Sequence, residues 1–299
     1  MTVVNFSGLC KHAAEQGYRL AALNPHMLLV VRAILDTAVT KDAPIVLATT
    51  GPALQDGLLP SLEAMARQVS IPVALLGTEI RNRDQAVLAI RSGCNGLVFT
   101  DGISDSAVIA MRGIAESCGI PVFLKEELSG ILHESGEQLE SATLQAVAEA
   151  PRTWRKFNEL VSQAAGNFVL ERIEDVGAAG RGRAALEATE VWRPVEHLII
   201  YNSTADEATS AEIAAEGRRV LDKIPGVRAT WTGRSVRPDA KYRWCWLVRF
   251  AHPAVIDAYR EHPDHVSYAD NRFRPIADDR ISVDYELTGA EEVEWPPRQ

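Results

Sequence analysis

Apolar and polar positions change their rhythm once along this chain. Up to about residue 130, short apolar runs alternate with stretches of 3.6-residue periodicity. A helix over 7–16 precedes a strand at Tyr18–Leu23, and a helix from Pro25 to Thr40 leads to a strand at Ile45–Thr49. Helices at Leu59–Val69, Arg83–Arg91 and Asp105–Cys118 lead in turn to strands at Pro72–Leu76, Gly96–Thr100 and Pro121–Lys125. Repeated β–α units predict a parallel sheet, open or closed into a barrel. From Gln138 to Val176 the pattern is helical throughout, with one apolar stripe through Phe157, Leu160, Val161, Ala164, Phe168, Val169 and Ile173. The Gly-rich stretch Gly177–Arg183 reads as a linker or hinge, with a short helix after it at Ala184–Glu190.

Beyond it the order is different. Strands at 195–202, 226–234, 242–250 and 280–286 enclose helices at 208–222, 253–260 and 263–276, a small α+β sandwich. The expected domains are therefore 1–190 and 191–299. Strand alternation puts His197, Ile199 and Tyr201 on one face and Leu198 and Ile200 on the other. In 242–250 it sets Trp244, Trp246, Val248 and Phe250 against Cys245 and Leu247. Both faces are apolar and the helices can cover only one, so the other calls for a second copy of the sheet.

The 299 residues suffice for two cores, and a net charge of −9 argues against nucleic acid and anionic membrane surfaces as partners. No apolar run is long enough to span a bilayer, and the opening MTVVNFSGLCKHAAEQ has no signal pattern. The four cysteines lie far apart, as reduced thiols in a cytoplasmic protein do. No Gly-rich phosphate loop is present and no nucleotide cofactor is expected.

Polar groups end successive strands of the first domain: Asn24 and His26, Thr49 and Thr50, Thr78 and Glu79, Asp101, then Lys125, Glu126 and Glu127. In β/α barrels the C-terminal strand ends are where chemistry is placed. A desolvated Lys125 would serve as a Schiff-base amine; the plainer reading pairs it with Glu79 or Glu126 at a solvated rim.

Gly17–Met27 (GYRLAALNPHM), with Tyr18, Ala22 and Asn24 in the matching positions, resembles the opening strand of class II ketose-bisphosphate aldolases. The likeness runs on through Pro44–Gly51, Ile71–Glu79, Ala89–Gly102 and Val122–Gly130, about five units of a barrel that has eight in full. The resemblance implies a shortened or modified TIM-type barrel. That family ends its third strand in His-x-Asp-His, its acid/base and one metal ligand; here Leu76, Gly77, Thr78 and Glu79 stand there, and the later His-Gly motifs are missing. Thr cannot do carboxylate work, so the ordinary zinc reaction is not expected and a divalent metal is not favoured.

The region Val195–Leu287 is similar to the stress-responsive dimeric α/β-barrel family, which is ferredoxin-like. His197–Ile200, Ile224–Val227, Tyr242–Phe250 and above all the Tyr-x-x-His-Pro-x-His of Tyr259–His265 carry the likeness. It implies a homodimer and a pocket lined by His197, Tyr201, Trp231, Trp244 and Trp246, with Tyr259 and His265 as an acid–base pair at its mouth. The plainer reading makes His262-Pro263 a helix start and His265 its hydrogen-bonding neighbour.

Three readings stay open. The first is a small-molecule enzyme for aldol-type C–C cleavage or enolisation of an oxygenated carbonyl compound. Its proton carriers would be Tyr259 and His265, or Glu79 and Glu127 in the first domain, where Lys125 is the candidate amine; Asn24, Thr50 and Asp101, or His197, Tyr201 and Trp244, would hold the substrate. The second is a non-catalytic ligand-binding and dimerisation protein on a relic scaffold. The third is cofactor-free cyclase or monooxygenase-like chemistry in the aromatic barrel.

Overall fold

A computed structural model describes residues 2–50, 58–149 and 154–286. Gly51 at the end of the aldolase-like PIVLATTG stretch, residues 150–153 of the expected helical run, and the tail 287–299 lie outside the described residues. The chain forms two compact units whose main break falls between Trp192 and Arg193.

The first unit is a parallel sheet of six strands in the order β5-β4-β3-β2-β1-β6. The strands are β1 (Leu20–Leu23), β2 (Ile45–Thr50), β3 (Val73–Ile80), β4 (Gly96–Phe99), β5 (Val122–Leu124) and β6 (Leu132–Glu134). Helices α1 (Phe6–Gln16), α2 (Leu28–Thr40), α3 (Leu58–Ala66), α4 (Arg83–Ser92) and α5 (Asp105–Ser117) alternate with the first five strands. A one-turn helix α6 (Lys125–Leu128) joins β5 to β6. Then α7 (Gly136–Glu149), α8 (Trp154–Asp175) and α9 (Gly182–Ala188) complete the unit.

Strands β1 and β4 are buried at every position, which is why they read as continuous apolar runs. Asn95 pins the sheet to the chain start: its Oδ1 accepts from the Leu75 amide at 2.9 Å and its Nδ2 donates to the Val4 carbonyl at 2.7 Å. The sheet curls, because β5 and β6, at opposite ends of the strand order, end within an ion pair of each other: Lys125 Nζ lies 3.6 Å from a Glu134 carboxylate oxygen. The architecture is a partial TIM-type barrel. The sixth strand is an addition to the expected five, and it occupies the place beside β1.

The expected linker at Gly177–Arg183 is instead tied down. The Gly180 amide donates to the Lys41 carbonyl, and those of Gly182 and Arg183 donate to Asp42. The Asn5 and Trp192 amides carry the stitching on to Glu190 and Val3, so the first unit closes at buried Trp192.

The second unit is an antiparallel sheet in the order β10-β7-β9-β8, from β7 (Val195–Ser203), β8 (Val227–Arg234), β9 (Trp244–Phe250) and β10 (Ala277–Tyr285). Helices α10 (Glu207–Leu221), α11 (Val255–Glu261) and α12 (Pro263–Tyr268) belong to it, α12 running into a π turn at Ala269–Phe273 where an unbroken helix to 276 was expected.

Register decides the faces. Ile199 pairs with Trp246 and Tyr201 with Trp244 on the face where Tyr201, Trp246, Val248 and Phe250 are buried. Leu198 pairs with Leu247 and with Val283, and Ile200 with Ile281, on the other. There Trp231, Ile281, Val283 and Tyr285 are 45%, 45%, 37% and 46% exposed, an apolar sheet face that no element among the described residues covers.

Gly217 of α10 is what lets the helix sit down: an added Cβ would lie 2.3 Å from the Tyr268 ring and 2.7 Å from Trp246. Both rings are buried, and the Tyr268 hydroxyl donates to the Ile213 carbonyl at 2.8 Å. Gly217→Ala is therefore expected to destabilise the second unit by about 2 kcal/mol through overpacking, measured by denaturant unfolding; an unchanged midpoint would mean that helix and sheet are not packed this tightly.

Candidate functional site

The C-terminal strand ends of the first unit surround a cleft of about 540 Å³, within the range of small-molecule sites. Asn24 after β1, Thr50 of β2, Thr78 and Glu79 of β3, Lys125 after β5, and Glu134 and Ser135 at the end of β6 all line it. Gln138 and Glu140 of α7 close one side.

Glu79 has a left-handed backbone, φ +56°, where the β3–β4 register slips between Gly77 and Ile80. A non-glycine residue in that conformation is costly, and such positions gather at functional sites. Thr78 is buried, its hydroxyl donating to the Thr49 carbonyl at 3.4 Å. Ser135 is 3% exposed and its hydroxyl has no hydrogen-bond partner among the described residues, although it stands immediately before α7 where a serine ordinarily caps.

The other strand-end residues are elsewhere. Glu127 accepts from the Leu124 amide at 2.7 Å, capping its own turn, and does not line the cleft. Asp101 is exposed and outside it. Lys125 pairs with Glu134, not with Glu79 or Glu126, and is 63% exposed, so it lacks the desolvation an amine nucleophile needs. The His26 ring meets the Thr143 hydroxyl at 3.2 Å. Tyr18 is held by His12 at 2.9 Å, and burial pushes its phenol up to about 12. Glu134 and Ser135 escaped the sequence reading because a three-residue strand carries too little pattern to mark its end.

The metal that the aldolase resemblance brings with it does not fit these donors. Its third-strand histidine position is Glu79, and among the described residues no cluster of His, Cys, Asp and Glu could hold an ion.

In the second unit the Tyr259 and His265 ring centroids are 4.3 Å apart with the planes tilted by 37°, and the His197 ring lies 6.3 Å from that of Tyr259. His197 Nδ1 is 2.7 Å from Asp284, a partner the sequence did not single out. The register that puts His197 opposite Asp284 explains the pair. His265 Nδ1 donates to the Arg260 carbonyl at 3.0 Å, leaving Nε2 as the basic atom. The cavity beside these rings is only about 30 Å³, because Trp246, Tyr268 and Phe273 fill it. Tyr201 and Trp244 share that face of the sheet, but Trp231 is on the opposite one, contrary to the expected lining.

Burial, with Arg274 and His197 nearby, holds the His265 imidazole below the usual histidine range despite the opposing effects of its carbonyl partner and Asp270. A depressed folded pKa means that the unfolded chain binds the proton first as pH falls. This contribution to stability is therefore present above about pH 6.5 and lost as pH drops through the folded pKa. In His265→Gln the slope of stability against pH below 6.5 is expected to flatten, read by denaturant unfolding at each pH; an unchanged slope would show an unperturbed ring.

A family model described as the stress responsive A/B barrel domain matches residues 195–287. The second unit carries a stress-responsive A/B barrel domain. The barrel domain resembles a dabb family protein with a ferredoxin-like fold from Mesorhizobium loti (22% identity, TM-score 0.31, 32% of this chain and 99% of that one). It also resembles a dimeric ferredoxin-like protein from Thermobifida fusca (18%, 0.30, 32% and 92%). The rest of the chain has an aldolase-type fold: the YdjI aldolase of Escherichia coli is matched at 14% identity and TM-score 0.55, over 60% of this chain and 100% of that protein. Identity at that level speaks for fold alone. No curated protein matches the chain.

Proposed function

We propose that the chain is an enzyme acting on a small oxygenated carbonyl compound in the strand-end cleft of the aldolase-type unit, by aldol-type cleavage or enolisation without a metal. The cleft itself carries this reading: about 540 Å³ of polar-lined space beside a carboxylate–ammonium pair. In this scheme Glu79 takes the proton, from a hydroxyl in cleavage or from the carbon beside the carbonyl in enolisation. The Lys125 ammonium donates to the enolate oxygen that develops, with Glu134 orienting it. Asn24, Thr50, Thr78 and Ser135 hold the hydroxyls.

Hydrogen–deuterium exchange at the carbon beside the carbonyl, followed by NMR across a panel of small ketoses, tests this before any product is known. Exchange by the native protein that falls at least about 100-fold in Glu79→Gln supports it. No exchange above the uncatalysed rate with any member of the panel would sink it.

A second reading rests on the close Tyr259–His265 pair and the His197–Asp284 contact. There His265 Nε2 would move the proton and Tyr259 would donate to an oxygen. The 30 Å³ cavity ranks it below the first, since a substrate would have to displace aromatic side chains. Full activity in Tyr259→Phe and His265→Ala would exclude it.

We infer in addition that the barrel domain pairs with its own copy through the uncovered face of Leu198, Leu247, Trp231 and Val283.

A further inference from the structure

The cleft's charge is the reverse of what a phosphorylated substrate needs. Glu79, Glu134 and Glu140 face it, and the one cation among the described lining residues, Lys125, is already committed to Glu134. The helix α7 that opens on this side carries Glu140 near its start, opposing the attraction a helix start exerts on anions.

What the lining offers instead is neutral hydrogen bonding. Asn24 and Gln138 present amides, and Thr50, Thr78 and Ser135 present hydroxyls, groups that both donate and accept as sugar hydroxyls do. The Ser135 hydroxyl, buried, has a hydrogen bond to give that no group among the described residues takes up.

We propose that the cleft takes an unphosphorylated, uncharged polyhydroxy carbonyl compound and discriminates against its phosphate esters. This rests on the cleft being the substrate site, and it narrows the class of substrate. Carboxylates repel a phosphate dianion in a partly enclosed site, while hydroxyl groups meet a matched set of donors and acceptors.

Saturation-transfer NMR on the full chain, at low ionic strength, would compare dihydroxyacetone, xylulose and fructose with dihydroxyacetone phosphate, xylulose 5-phosphate and fructose 6-phosphate. Binding of at least one free sugar, about tenfold or more tighter than its phosphate, is the expected result. Raising the salt, or Glu140→Lys, should cut that discrimination several-fold. Phosphates binding as well as or better than the free sugars would overturn the substrate class while leaving the cleft as a site. Binding by none of the six would overturn the cleft reading itself, and with it this inference. Discrimination unchanged in Glu140→Lys would overturn its electrostatic origin.

Discussion

Leu198→Asp is expected to turn the dimer proposed for the barrel domain into a monomer while leaving that domain folded. Leu198 is central on the uncovered face, with Leu247 directly across on one side and Val283 on the other. Ile200 pairs with Ile281 and Leu247 with Trp231, so apolar groups continue in every direction except toward Glu196 and Arg249, which pair with each other. In a lone protomer an aspartate at this half-exposed position keeps its water and costs about 1 kcal/mol of strand preference. Between two sheets it becomes a buried carboxylate with no cation opposite, at a cost of several kcal/mol for each copy. Self-association should weaken by about a thousandfold or more. Light scattering would report half the native mass, and circular dichroism an unchanged sheet signal. A dimer surviving at micromolar concentration would show that the copies meet elsewhere or not at all. Val283→Lys, on the same face and an outer strand, should act in the same direction.

That face was legible in the sequence because alternation is strict in β7 and β9, where each side chain's neighbours follow from parity alone. Trp231 was not legible. Counting from Val227 puts it with Trp244 and Trp246, but the β8–β9 register slips between Val227 and Ala229, and one residue of slip moves every later side chain to the other face. Such a bulge is set by pairing with another strand, which local sequence does not display. The same distinction runs through the first unit. β1 to β4 are apolar runs of four or more buried residues, and their polar ends could be named residue by residue. β6 has three residues, and its place beside β1 comes from the curl of the sheet, so Glu134 and Ser135 entered the cleft without warning. Glu127 could be named as a strand-end carboxylate, but that it is spent on the Leu124 amide follows only from how the turn at α6 closes. Likewise the glycines at 177–182 have the composition of a linker, and only their bonds to Lys41 and Asp42 show a fastened segment.

Glu79→Gly should separate stability from function. At φ +56° the backbone of Glu79 is in a region where a side chain costs about 1–2 kcal/mol. Glycine removes that cost but brings about 0.5–1 kcal/mol of extra chain entropy to the unfolded state. The sum leaves the unfolding free energy level or raised by about 1 kcal/mol, where the same substitution in an ordinary strand loses about that much. The Glu79 side chain lines the cleft, where the proposed reaction calls for a carboxylate. Turnover, read as deuterium exchange on the ketose panel, should fall by about 100-fold to 10,000-fold as the proton acceptor disappears. Glu79→Gln keeps the strain and the shape, so it should lose the same activity without the gain in stability. Loss of a kcal/mol or more in Glu79→Gly would mean that the turn is not strained. Activity surviving in both variants would move the proton acceptor to Glu134, the other carboxylate that reaches the same space from the end of a strand.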